Sequence, residues 1–237
     1  MSNESVYSNE WNVSAQYFYQ TGCYTWMINK LASFNTVLEI GCGTGYSTLA
    51  LVERGHKVIA IDKNQDCLQK AKKLLSEKGY LNGEVRFFKR DIVVENDRDK
   101  LLNDFEYDIV ICWNVGTYWD KQMMSFYLPY MLRYGLSREQ IIASPESSYS
   151  EMIIWNACKL ARTKGVPFHL IERGTHAINE QTDPYYFMLR DEFDFSSIEY
   201  DNKVANSLSS GGRLLSTQGI VNAESKIDIV FLSIMYR

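Results

Sequence analysis

From residue 36 onward, apolar runs alternate with amphipathic stretches. Residues 37–40 form a short apolar run ending in glycines, the pattern of a buried strand. Residues 46–54 follow at helical spacing, and 58–61 is a second apolar run. The clearest helix is 64–78, where Cys67, Leu68, Ala71, Leu74 and Leu75 share one face and Gly79 stands at the stop. Strands are predicted at 84–89, 107–113, 140–144, 166–172 and 227–236. Helices are predicted at 120–134, interrupted or kinked at Pro129, and at 149–164 before Gly165. Strand–helix alternation with strands of parallel type predicts a doubly wound α/β sheet.

Two regions depart from that rhythm. Residues 1–35 are rich in aromatics, with a helix expected from Ser14. Residues 174–226 read as a long irregular insertion carrying eight acidic and four basic side chains. Loops of that length in a compact domain tend to be lids, binding loops or disordered. The expected organisation is one domain over 1–237: a cap (1–35), a core (36–173 and 227–237) and the insertion as acceptor-side lid (174–226).

Composition narrows the partners. The 237 residues are 46% hydrophobic and 23% charged, an ordinary globular balance. The net charge is −4 and there is no run of four basic residues, which disfavours a nucleic-acid partner. No apolar run reaches transmembrane length, and the polar N-terminus lacks a signal pattern. Cys23, Cys42, Cys67, Cys112 and Cys158 form no CxxC pair, so reduced thiols in a cytoplasmic protein are expected, without a metal site.

The densest chemistry lies at 37–51, VLEIGCGTGYSTLAL. Glycines at 41, 43 and 45 permit a tight turn and close approach of a ligand to the backbone. Asp62 ends the second strand, where an acid can accept from both hydroxyls of a ribose. These features point to a nucleoside-containing cofactor. Three positions after Gly43 stands Tyr46, so the dinucleotide pattern GxGxxG is not met. A second acid, Asp91, ends the third strand; its carboxylate can accept from an adenine amine while the Ile92 amide donates to a ring nitrogen. His176, beyond the sixth predicted strand, and Glu146, beyond the fifth, are candidate general bases. Each also suits a plain loop role, and His56 suits a surface or helix-end position.

With EIGCGTG at 39–45, Asp62, Asp91 and YDIVICWN at 107–114 in order, the chain resembles the class I S-adenosylmethionine-dependent methyltransferases. The resemblance implies a mostly parallel seven-stranded sheet with an antiparallel last strand. It implies that Gly41, Cys42, Gly43 and Gly45 line the methionyl part of S-adenosylmethionine and that Glu39 helps hold its amino end. Asp62, with Lys63 beside it, would bind the ribose, Asp91 and Ile92 the adenine, and Asn114 would lie near the methyl group. Tyr7, Trp11 and Tyr19 are candidates to cover the cofactor. The family shares no catalytic residue. No Asn/Asp-Pro-Pro-Tyr/Phe motif follows strand four, where WNVG stands, and no Pro-Cys pair offers a nucleophile for cytosine. A small-molecule acceptor, aromatic or amine-bearing, is therefore expected ahead of protein or RNA. A non-catalytic cofactor-binding module and a nicotinamide oxidoreductase remain as alternatives.

Overall fold

The computed structural model describes residues 3–115, 119–120, 122–210, 213–214, 216–217, 220–221 and 225–237. It opens with helices α1 (Asn3–Gln20) and α2 (Cys23–Ile28) and a 3-10 turn, Asn29–Leu31. Then follow β1 (Thr36–Ile40), α3 (Tyr46–Glu53), β2 (Lys57–Asp62), α4 (Gln65–Glu77), β3 (Val85–Lys89), α5 (Glu95–Asn103) and β4 (Ile109–Trp113). Three helices come next, α6 (Met123–Tyr134), α7 (Arg138–Ala143) and α8 (Pro145–Lys164), before β5 (Phe168–Gly174). Helix α9 (Tyr186–Glu192) and strand β6 (Ile198–Ser207) lead to two short ladders. These pair β7 (Ser209–Ser210) with β8 (Arg213–Leu214) and β9 (Ser216–Thr217) with β10 (Ile220–Val221). Strand β11 (Ile227–Tyr236) closes the chain.

The main sheet has seven strands in the order β3-β2-β1-β4-β5-β11-β6. Strands β1 to β5 pair in parallel. Strand β11 is antiparallel to both β5 and β6, as expected of the last strand. Alternation along each strand sends Leu38, Ile59 and Val110 to one face and Val37, Val58 and Ile109 to the other. Helices α5 to α9 cover the first face, and α1 to α4 the second. All five parallel strands point their C-terminal ends the same way, so the loops after β1, β2, β3 and β4 gather at one edge.

Three expectations are corrected. Residues 140–144 are not a strand. Ser137 and Gln140 form a capping box, the side chain of each meeting the other's backbone, and this starts α7. The seventh strand of the sheet is β6, inside the segment expected to be an irregular insertion. It was concealed because it is an edge strand, only partly buried along its length, with a polar sequence, IEYDNKVANS. Of that segment, 211–212, 215, 218–219 and 222–224 lie outside the described residues. Finally, the first helix starts at Asn3 rather than Ser14, because Tyr7, Trp11, Ala15 and Phe18 already make a buried stripe at helical spacing.

Smaller differences follow from local chemistry. Helix α6 runs through Pro129 without interruption. His56 is buried rather than superficial, with Nδ1 bonded to the Phe34 carbonyl at 2.9 Å. His169 is a satisfied core histidine, 3.3 Å from Trp113 Nε1 and 2.8 Å from Ser233 Oγ. Among the described residues, no helix is long and apolar enough to cross a membrane.

Candidate active site

The loop after β1 turns on three glycines at positive φ: Gly41 at 73°, Gly43 at 53° and Gly45 at 88°. Each also sits too close to a neighbour for a side chain. A Cβ at Gly41 would fall 2.6 Å from a Val115 methyl, and one at Gly45 2.8 Å from the Ala71 Cα. A Cβ at Gly43 would run into the Trp11 indole. The amides of Gly41 and Cys42 donate to the Ile61 carbonyl, that of Gly43 to Asp62, and that of Gly45 to the Cys42 carbonyl. What the loop offers a ligand is therefore mainly bare backbone surface.

Asp62, at the end of β2, accepts from Gly43 N through Oδ2 at 2.9 Å and from Asn64 N through Oδ1 at 2.8 Å. Each oxygen keeps a lone pair, so the carboxylate can still accept two hydroxyl hydrogens. Asn64 itself caps α4, accepting from the amides of Asp66 and Cys67, which frees Asp62 from that duty. Burial raises the Asp62 carboxyl above its ordinary range, against the two amide bonds.

Asp91 follows β3. Its Oδ1 accepts from Val93 N at 3.0 Å and its Oδ2 from the Tyr127 hydroxyl. Lys63 lies between the two acids. Its Nζ is 4.7 Å and 4.3 Å from the ring centres of Tyr127 and Tyr149, and donates to Tyr127 Oη at 3.3 Å. Burial lowers the Lys63 ammonium to about 8, with Asp91 and Asp62 opposing.

Asn114, the residue after β4, takes φ 54°, a left-handed conformation that Asn tolerates better than most. It is 6% exposed, and both polar atoms of its amide are buried without a partner among the described residues. A buried amide left unsatisfied is costly, which makes it a position that a ligand would complete.

One cleft gathers these groups. Gly41, Gly43, Asp62, Lys63, Asp91, Ile92 and Asn114 all line it, and Tyr7 and Trp11 reach it from α1. Other residues implicated by the sequence lie elsewhere. Cys42 is buried behind the loop, with burial holding its thiol protonated. Gly45 packs on α4. Glu39 is 2% exposed beneath the loop and accepts from the Ser47 hydroxyl and, at 2.6 Å, from Thr48 Oγ1. It ties β1 to the first turn of α3. Tyr19 stands on the outside of α3, its hydroxyl 2.8 Å from the Glu53 carboxylate. Sequence reasoning missed Tyr127 and Tyr149. Both sit on predicted helices among other aromatics, and nothing local marks them as facing a cleft.

The two candidate bases separate. His176 is exposed and bonded to Thr175 Oγ1 at 2.8 Å. Glu146, in the first turn of α8, lines a second cavity of about 460 Å³ that shares Asn114 and Val115 with the cleft. Among the described residues, no group of three or more His, Cys, Asp or Glu could hold a metal.

Residues 37–133 match the model of a methyltransferase domain. The cypemycin N-terminal methyltransferase of a Streptomyces species is 37% identical over 75 residues, 32% of this chain. The match spans only about a quarter of that relative's length, 26%. Two solved structures share the fold. The N-terminal domain of EvdMO1 with S-adenosylhomocysteine bound has a TM-score of 0.51 at 14% identity, over 90% of this chain and 79% of that one. Magnesium protoporphyrin IX methyltransferase from Synechocystis PCC 6803, also with S-adenosylhomocysteine, has a TM-score of 0.50 at 12% identity, over 97% and 83%. Over residues 37–133 the chain is therefore similar to methyltransferase domains, and its seven-stranded sheet with an antiparallel last strand shares the fold of the two solved structures.

Proposed function

We propose that the protein transfers the methyl group of S-adenosylmethionine to a small-molecule acceptor. The observation that carries this reading is the meeting of the glycine loop, Asp62, Asp91–Ile92 and Asn114 in one cleft. These residues are scattered over more than seventy positions of sequence. Asp62 has two free lone pairs for a ribose diol, Gly41 and Gly43 present bare backbone to the cleft, and Ile92 supplies an apolar wall for a base. Lys63 lies between the acids and offsets their charge. When bound, the cofactor supplies a methyl group activated on a sulfonium.

What the chain adds is placement and dryness. Tyr7 and Trp11 close the cleft from above, and Val115 and Ile153 line it from the side. The cofactor role of Glu39 would be indirect, holding α3 against β1. The acceptor would reach the methyl group from the side of β4 and β5.

A peptide acceptor is the second reading, favoured by the name of the Streptomyces relative, an N-terminal methyltransferase. The test of the cofactor site is calorimetric titration with S-adenosylhomocysteine and, separately, with NADH, on wild type and on Asp62→Ala and Asp91→Ala. Binding of S-adenosylhomocysteine, weakened at least about tenfold in each variant by loss of charge-assisted bonds, is expected. Binding of NADH instead would turn the reading toward an oxidoreductase. Cofactor binding without methylation of any small molecule or peptide would leave a non-catalytic module.

A further inference from the structure

The second cavity lies just beyond Asn114, at the C-terminal ends of β4 and β5, closed on the far side by β7 and the start of β11. It is polar. Three carboxylates reach it from three elements: Glu146 from α8, Glu172 from β5 and Asp228 from β11. One cation, Arg173, faces them. Its guanidinium carbon lies 5.9 Å from the Trp11 ring centre, and Nη1 donates to Ser209 Oγ at 3.4 Å. Glu172 accepts from the hydroxyls of Tyr185 and Tyr186 on the opposite side, and Asp228 from Asn206 Nδ2. Acids therefore outnumber bases at the wall, while the orphaned Asn114 amide stands where this cavity meets the cleft.

We propose that this cavity is the acceptor site and that it takes a polar primary or secondary amine, whose nitrogen is held by the Asn114 amide oxygen. The inference rests on the methyltransferase reading above and adds the acceptor's chemical class. An amine arrives as an ammonium, which the carboxylates attract, and it must lose one proton, to Glu146 or water, before it can react. Its freed lone pair forms the new C–N bond as the S–CH3 bond breaks, and that bond's electron pair stays on sulfur. The positive charge thus passes from sulfur to nitrogen, toward Glu146 and Asp228, which stabilise it as it develops. The nitrogen then sheds a proton. A carboxylate acceptor would have to enter against the same three acids. The Asn114 carbonyl oxygen accepts an N–H of the amine and so directs its lone pair along the S–CH3 axis.

The test uses protein saturated with S-adenosylhomocysteine and three probes of matched length: 1,4-diaminobutane, 1,4-butanediol and succinate. Calorimetry should find the diamine bound at least about tenfold more tightly than either counterpart. Glu146→Gln and Asp228→Asn should each weaken diamine binding several-fold, with S-adenosylhomocysteine affinity kept within about twofold as the check on folding. Asn114→Gly removes the amide while tolerating the positive φ, and should abolish transfer of labelled methyl to the diamine and weaken its binding. Equal binding of the three probes, preference for succinate, or no diamine binding overturns the proposal while leaving the cofactor reading intact. Failure to bind S-adenosylhomocysteine overturns both.

Discussion

Glu39 shows how one residue of a motif acquires a role through its surroundings. Burial raises its carboxyl from the ordinary 4.5 to about 7, against the hydrogen bonds of Ser47 and Thr48. Between those values the folded chain holds a proton that the unfolded chain has lost, so stability falls as pH rises from about 4.5 to about 7. Urea unfolding at pH 5 and pH 8 should show wild type losing roughly 3 kcal/mol more than Glu39→Gln, which cannot ionise. An equal loss in both proteins would mean that Glu39 is ionised throughout. Gly45 makes a steric prediction at the same scale. Its φ of 88° and the Ala71 backbone 2.8 Å from any Cβ leave no relief by a side-chain shift. Gly45→Ala should therefore cost about 1–3 kcal/mol, and denaturation midpoints showing no loss would contradict the close packing of α4 on the loop. The glycines and both acids were legible from sequence because their requirements are local: a left-handed turn, or a carboxylate at a strand end. Tyr127 and Tyr149 were not, because an aromatic on a helix face looks the same whether it meets a core or a cleft.

At the scale of elements, α1 governs access. The free space in the cleft is about 80 Å³, well below the ~300–1,000 Å³ of pockets that hold a drug-sized ligand. Tyr7 and Trp11 lie across it, and Tyr127 and Tyr149 crowd the Lys63 end. Beside Lys63, Arg90 and Asp91 the cleft adjoins a wider cavity of about 680 Å³, so it is the part over the glycine loop, beneath Tyr7 and Trp11, that α1 must lift to open. Amides of α1 should accordingly exchange with deuterium faster in the free protein than with S-adenosylhomocysteine bound; identical exchange in both would place the moving part elsewhere. The sheet makes a complementary prediction. Amides of β11 lie between β5 and β6 and should be among the slowest to exchange. Those of β6 that point away from β11 should be fast. Uniform protection across both strands would contradict the edge position of β6. The swap of 140–144 for 198–207 as the remaining strand has a physical cause. A short apolar run fits a buried strand or one face of a helix equally well, and the Ser137–Gln140 capping box decides for the helix. An edge strand needs apolar residues only where it is covered, so β6 is polar.

Over the whole molecule, all five cysteines are buried and free. A thiol reagent should label none of them quickly in the native protein and all five in denaturant. Rapid labelling of Cys42 or Cys23 would reveal an opening of the α1 side and would connect that motion to the cleft. The charge distribution acts at this scale too. The net charge of −4 is modest, and what matters at the site is the placement of Glu146, Glu172 and Asp228 around the second cavity. Three elements distant in sequence supply them.

The sequence by itself determined the alternation of strands and helices, the parallel core, and the positions of the glycine turn, Asp62, Asp91 and Asn114. Each of these is a demand that neighbouring residues state: periodicity, a positive φ, a polar group where an apolar strand ends. Only the tertiary structure decided that β6 completes the sheet, that Tyr7 and Trp11 rather than Tyr19 cover the cleft, and that Glu39 serves α3 from beneath the loop. It alone placed the orphaned amide of Asn114 between two cavities. Those outcomes depend on which surfaces meet across long stretches of chain, and no local pattern carries that information.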